Sequence, residues 1–228
     1  KRSVALDLRS EEGQKLVRQL AVEADVVVEN FRPGTLDNWG LGWEVLSKLN
    51  PRLIMVHISG YGQTGPYRDK PGFGVIGEAM GGLRYLTGQP GEPSVRVGVS
   101  IGDSLSALYA VIGTLLALQE RNRSGLGQEI DVALYESVFA MMESLLPEFD
   151  ASGQVREPSG SALPGITPSN AYRCQGGDYV LIAGNGDSIF KRLMGVIGRE
   201  DLANDPALAY NDGRSQQAEM IDAAIQTW

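Results

Sequence analysis

An aspartate stands in the run Ser100-Ile101-Gly102-Asp103-Ser104-Leu105, directly after a glycine and at the start of the longest helical pattern in the chain. Backbone N–H groups in the first turn of a helix have no partner within it, and the macrodipole adds a positive field. A carboxylate in that place keeps its charge and can serve as acceptor or nucleophile. Aspartate is also among the best helix N-caps, a role that needs no chemistry. For Asp103, spacing alone leaves both readings open.

Other reactive types are scarce. A single histidine, His57, rules out a multi-histidine metal site and a histidine pair for acid–base work. It lies in the apolar run Leu53-Ile54-Met55-Val56-His57-Ile58 and reads as a structural residue of a strand or as a ligand contact. The lone Cys174 excludes an internal disulfide, has no histidine near it and reads as a small apolar filler. Both counts favour a reducing cytoplasm. The net charge of −8 speaks against nucleic acid and anionic membrane surfaces as partners, because both require a basic face. With 228 residues, 43% hydrophobic and 29 of them glycine, the chain can build one sizeable core with a smaller unit appended.

The elements that must position Asp103 follow from periodicity. Ser3–Leu8 reads as a strand, Ser10 then caps a helix, and Asp25–Asn30 reads as a strand buried on both faces by its run of valines. A helix is expected at Trp43–Leu49 and a strand at Arg52–Ser59. Strand, helix, strand, helix, strand in this order implies a parallel sheet with right-handed crossovers. Further on, helices are expected at Val75–Leu86, Asp103–Arg121 and Glu136–Leu146, with a strand at Glu129–Leu134. The helix opened by Asp103 has Leu105, Leu108, Ile112, Leu115 and Leu116 as its apolar stripe. Its apolar stretch, Leu105–Leu118, is interrupted by Ser106 and Gly113 and is too short to span a bilayer.

From Phe149 to Ser169 Pro, Gly and Ser replace periodicity, as in a linker or an active-site loop. Strands at Asn170–Cys174 and Tyr179–Ala183 and a helix at Ser188–Ile197 then form a smaller unit. The expected divisions are therefore residues 1–148, 149–168 and 169–228. The chain starts without methionine and stops inside a helical pattern, so it is expected to be part of a longer protein.

Gly60-Tyr61-Gly62-Gln63-Thr64-Gly65 fits the dinucleotide fingerprint and follows a strand. That fingerprint needs a helix to begin at the third glycine, and Pro66 and Pro71 favour a loop instead, so a nicotinamide or flavin site is disfavoured.

Five motifs occur in one order: Glu29-Asn30-Phe31-Arg32-Pro33-Gly34, Asn50-Pro51-Arg52-Leu53-Ile54, Ser59–Tyr67, Gly102-Asp103-Ser104 and Gly125–Val132. Together they resemble the class III CoA-transferases of CaiB/BaiF type, the family of formyl-CoA transferase and carnitine CoA-transferase. Pro158–Gly165 and Asn185-Gly186-Asp187-Ser188 look most like the members that exchange CoA between dicarboxylic acids, such as succinyl-CoA:glutarate CoA-transferase.

The resemblance implies an α/β fold with a Rossmann-like parallel sheet in a large CoA-binding domain, a small α+β domain joined by long linkers, and an interlocked homodimer. It implies transfer of CoA between an acyl-CoA and a free carboxylic acid in the cytoplasm, with CoA as co-substrate and no permanently bound cofactor or metal. Asp103 falls on the catalytic aspartate. Asn30, Phe31 and Arg32 fall on CoA-binding positions, with Trp39 and Lys70 adding a wall and a charge. The family's mobile glycine loop is represented by Ser159–Gly165, with Gly160, Ser161 and Pro164, and has fewer glycines here. Phe73 stands where the racemase branch has a histidine, and a phenylalanine cannot move a proton, so transfer is favoured over the racemase or epimerase alternative. A non-catalytic CoA-binding protein would be expected to have lost the aspartate.

Overall fold

A computed structural model describes all 228 residues. The chain divides into two compact units, one formed by Lys1–Tyr85 with Val95–Arg156 and the other by Leu86–Ser94 with Glu157–Trp228. Relative to the expected divisions at 148 and 168, residues 149–156 belong to the first unit and 157–168 to the second, which also recruits Leu86–Ser94.

In the first unit the order is α1 (Glu11–Glu23), β1 (Val26–Glu29), α2 (Thr35–Asn38), α3 (Trp43–Leu49), β2 (Ile54–Ser59), α4 (Gly74–Met80), α5 (Leu83–Leu86), α6 (Ile101–Ser124), β3 (Glu129–Ala133), α7 (Leu134–Phe139) and α8 (Leu145–Ser152). The three strands form one parallel sheet in the order β1, β2, β3. One sheet face carries Met55 and Leu53 into a core with Ala21, Leu36, Leu41 and Leu46. The other packs Ile54, Val56 and Val132 against Ala110 and Ala117 of α6. Ser10 caps α1, its Oγ accepting the Gly13 N–H at 3.1 Å.

Several expectations are corrected. Ser3–Leu8 is not a strand, since β1 starts the sheet and no neighbouring strand pairs with that segment. β1 is an edge strand, so Val28 is 61% exposed rather than buried on both sides. The helix expected at Val75–Leu86 is broken by Gly81-Gly82, where Gly82 takes a left-handed φ of 94°. The one expected at Glu136–Leu146 becomes α7 and α8, and α8 occupies the start of the stretch expected to be linker.

The most instructive correction concerns α6. Its large aliphatic residues Leu108, Ile112, Leu115 and Leu116 are exposed, the sheet is met by Ala110, Gly113 and Ala117 with Tyr109 and Leu118 partly buried beside them, and Gly102 at its start faces Gly74 and Glu78 of α4 and Val138 of α7. A Cβ at Gly113 would lie only 3.2 Å from the Ile130 side chain. Small residues let this helix approach the sheet closely, and Tyr109 and Leu118 pack beside them. Its 24 residues also exceed the short stretch expected from sequence, and by length and composition it could cross a membrane. In this fold it lies along the sheet, and its buried Arg121 ties its end to the strands, bonding Asp25 Oδ1 at 2.8 Å and Arg52 O at 3.0 Å.

The second unit contains β4 (Ser169–Arg173), β5 (Tyr179–Ala183), α9 (Asp187–Val196), α10 (Glu200–Ala203), α11 (Asn211–Gln216) and α12 (Ala218–Thr227). β4 and β5 pair antiparallel, and Tyr172, Phe190, Met194, Leu208, Ile221 and Ile225 form its core. Cys174, expected as an apolar filler, is exposed because it lies just beyond β4 in the turn of this hairpin.

Candidate active site

Asp103 is the third residue of α6, and the N-cap position belongs to Ser100. The capping reading is therefore corrected: the carboxylate stands inside the first turn, is exposed, and makes no hydrogen bond or ion pair. The backbone at Gly74, the first residue of α4, comes up against it. A Cβ on Gly74 would lie 2.8 Å from Asp103 Oδ2, so the missing side chain leaves the carboxylate open on that side.

A recess of about 380 Å³ surrounds this carboxylate. Its walls come from four places: the loop after β1 with Asn30, Phe31, Arg32 and Pro33; the end of β2 with Ile58, Ser59 and Gly60; the loop Arg68–Gly74 leading into α4; and Leu134 at the start of α7. Two of these walls meet at Gly60 and Gly72, whose backbones are so close that a Cβ on Gly60 would fall 2.5 Å from Gly72 Cα. The glycine-rich segment after β2 is a loop and not the start of a helix, in line with the rejection of a dinucleotide fingerprint.

Of the residues singled out from sequence, Asp103, Asn30, Phe31, Arg32, Lys70 and Phe73 share this recess. Trp39 does not line it. It packs edge-on against Phe31, with ring centroids 5.5 Å apart, and so backs the ring that does. Lys70 Nζ lies 3.9 Å from the centroid of the Tyr67 ring. Gly160, Ser161 and Pro164 belong to the second unit, where the Gly160 N–H bonds Gly88 O at 2.9 Å and Ser161 Oγ donates to Asn170 Oδ1 at 2.9 Å.

Two participants escaped the sequence reading. Arg68 lines the recess and adds a third cation to Arg32 and Lys70. The signal was present in Arg68-Asp69-Lys70, two cations flanking one acid, but their shared orientation needed the fold. Glu29 was quoted only as the first residue of a motif. It is buried, and its Oε2 accepts the Phe31 N–H at 2.7 Å while Oε1 lies 2.5 Å from His57 Nδ1. On the other side of the ring, His57 Nε2 is 2.9 Å from Glu129 Oε1, an approach by charge and distance without hydrogen-bond alignment. Burial favours the neutral ring, but the Glu29 hydrogen bond and charge, with the charge of Glu129, outweigh it and raise the His57 pKa above its ordinary 6.5.

An exposed carboxylate with free oxygens, three cations and two aromatic rings, Phe31 and Phe73, line one recess, a set able to hold phosphate groups and to offer a nucleophile. Over residues 1–228 the chain matches the model of CoA-transferase family III. The chain belongs to this family. It is 52% identical over its whole length to succinyl-CoA:D-citramalate CoA-transferase of Chloroflexus aurantiacus, covering 57% of that protein. It is 44% identical to the beta subunit of succinyl-CoA:L-malate CoA-transferase from the same organism, again covering 57%. Succinate:glutarate CoA-transferase of Agrobacterium fabrum is 38% identical over the whole chain, which spans 56% of that enzyme. Among solved structures, a CaiB/BaiF family protein from Brucella suis superposes over the entire chain with a TM-score of 0.82 at 38% identity, the chain covering 61% of it. The chain thus spans a little over half the length of these relatives.

Proposed function

We propose that the intact protein transfers coenzyme A from an acyl-CoA thioester to a free carboxylic acid, both acids dicarboxylic, with Asp103 as the covalent nucleophile. The observation that carries this reading is the unpartnered, exposed Asp103 carboxylate in a recess shared with Arg32, Arg68 and Lys70. The relatives supply the substrate class, because three of them are named for succinyl-CoA or succinate with a second dicarboxylic acid.

In this scheme an Asp103 oxygen attacks the thioester carbonyl, the C–S bond breaks, and CoA thiolate leaves an aspartyl–acyl mixed anhydride. Thiolate then attacks the aspartyl carbonyl, releasing the donor as a carboxylate and leaving an aspartyl-CoA thioester. The acceptor carboxylate displaces thiolate from that thioester, giving a second anhydride. Attack of thiolate on the acceptor's acyl carbon forms the new thioester and regenerates Asp103. Each step conserves the activated acyl bond in covalent form. Asn30, Phe31 and Arg32, with Lys70 and the newly recognised Arg68, hold the CoA, its phosphates meeting the cations and its base the Phe31 ring. Backbone N–H groups of the glycine-rich walls can serve developing oxyanions at close range. Phe73 has no proton to move, so racemisation is not part of the scheme.

The same reading includes a cytoplasmic homodimer of interlocked subunits, each with a large and a small domain joined by long linkers, and Gly160, Ser161 and Pro164 in an active-site loop. Light scattering on the intact protein tests the dimer: a monomer would remove it. Mass spectrometry after incubation with succinyl-CoA and hydroxylamine tests the chemistry. A hydroxamate on Asp103, absent from Asp103→Ala together with turnover, is the expected result. CoA binding without any adduct from several acyl-CoA donors would leave only a CoA-binding protein.

A further inference from the structure

Glu29 and His57 take no part in the chemistry just proposed, yet they are joined to the residue that would receive the nucleotide end of CoA. The parallel register of β1 and β2 sets Glu29 opposite His57, so the two side chains share one sheet face. Glu129 and Asp131 of β3 lie on the same face, Glu129 against the far side of the ring and Asp131 accepting the Gln63 N–H at 2.7 Å. Both members of the central pair are nearly closed to solvent, with side-chain exposures of 7% each.

Glu29 divides its carboxylate between two tasks. Oε1 faces His57 Nδ1, and Oε2 leaves the sheet to accept the Phe31 N–H two residues on. Phe31 is therefore held from two directions, by this bond to its backbone and by the edge contact of Trp39 to its ring. A buried carboxylate kept only to staple two strands would not need its second oxygen on a loop amide. The His57 bond fixes the rotamer of Glu29, and the rotamer fixes the path of the loop.

We infer that Glu29 and His57 are a positioning pair that pre-organises the Asn30–Arg32 loop, and with it the Phe31 ring, for the nucleotide end of an acyl-CoA. The inference rests on the transferase reading for its ligand, though not for its geometry. Pre-organisation lowers the entropic cost of ordering a loop on binding and leaves the chemical step alone.

The test compares wild type, Glu29→Ala and Glu29→Gln in the intact protein with succinyl-CoA as donor. Glutamine keeps an oxygen for the Phe31 N–H, whereas alanine removes it. Glu29→Ala is expected to raise the succinyl-CoA KM about tenfold or more, as loss of one charge-assisted hydrogen bond would, with kcat within about threefold of wild type. Glu29→Gln is expected to restore the KM to within about threefold, and hydrogen exchange at Phe31 should quicken only in the alanine variant.

A folded Glu29→Ala with unchanged KM, or a glutamine variant as impaired as alanine, would reduce the pair to a strand staple and overturn the inference. Should Glu29→Ala not fold, His57→Ala and His57→Gln decide in the same way, since glutamine can still donate to Glu29 and alanine cannot. Calorimetry with CoA alone on the same variants separates the two readings. A wild type that binds CoA, forms no Asp103 adduct and loses affinity in Glu29→Ala would sink the transfer chemistry while sustaining the positioning pair.

Discussion

Arg214 in the second unit and His57 in the first are both buried, both hydrogen-bonded and both beside an acid, yet their surroundings differ in kind. Arg214 is fully enclosed and spends every N–H donor: Nε on Thr167 O at 3.1 Å, Nη1 on Leu208 O and Ala209 O at 3.1 Å, and Nη2 on Asn185 O and Asp187 Oδ1 at 2.7 Å. Phe190 covers it from 5.0 Å. Its partners are mostly carbonyls of loops that would otherwise be left unpaired. His57 lies between two carboxylates and can lose its charge, and one of those carboxylates continues to a loop at the recess. The contrast separates a fastener, whose role ends at folding, from a link between the sheet and the candidate active site.

The largest effect should come from breaking the fastener. Arg214→Met is expected to cost about 3–5 kcal/mol of stability in urea denaturation, because it leaves four loop carbonyls without their donor. Arg214→Lys should recover only part of this, since an ammonium has fewer donors and no planar fork. Full recovery would show that charge, and not the fork, holds those loops.

A smaller loss, about 1–3 kcal/mol, is expected for His57→Phe at pH 6, where the ring it replaces is charged. The pH dependence sharpens the comparison. The folded protein holds the His57 proton more tightly than the unfolded chain, so the contribution is complete below about pH 6.5 and is lost as pH rises through the raised value. Wild type and Arg214→Met should both lose stability over that alkaline range, and His57→Phe should lack this component. Equal slopes in all three proteins would show that His57 is not held as an imidazolium.

The smallest effect is expected at Asp187→Asn, within about 1 kcal/mol, because that carboxylate is 54% exposed and four carbonyl bonds to Arg214 remain. A loss near that of Arg214→Met would make the ion pair, rather than the carbonyls, the core of the fastener.

Much of the site could be read in the chain before folding. Asp103 could be singled out from a glycine and a helical pattern, and Asn30, Phe31, Arg32, Lys70 and Phe73 came with the motifs that surround it. All of them meet at one recess. Arg68 could not be chosen from sequence, because a loop between two prolines has no period from which to infer which side chains face inward. Glu29 and His57 could not be paired, being 28 residues apart on different strands until the register sets them opposite.

Periodicity was sufficient where burial is local. The parallel order of strands, the helix carrying Asp103 and the small hairpin unit all follow from patterns of apolar residues and turn formers within a few turns of chain. It misled where burial depends on what lies opposite. The leucines of α6 at 108, 115 and 116 read as its core face, yet alanine and glycine meet the sheet, because the approach of a helix to strands is set by the side chains on both surfaces. Ser3–Leu8 had the alternation of a strand and no neighbour to pair with, and a strand exists only as half of a pair. Residue types and their order determined the family and singled out Asp103, since these are properties of short contiguous motifs. Tertiary structure decided which face of each element is covered and which charges are joined, since those depend on distances between segments remote in the chain.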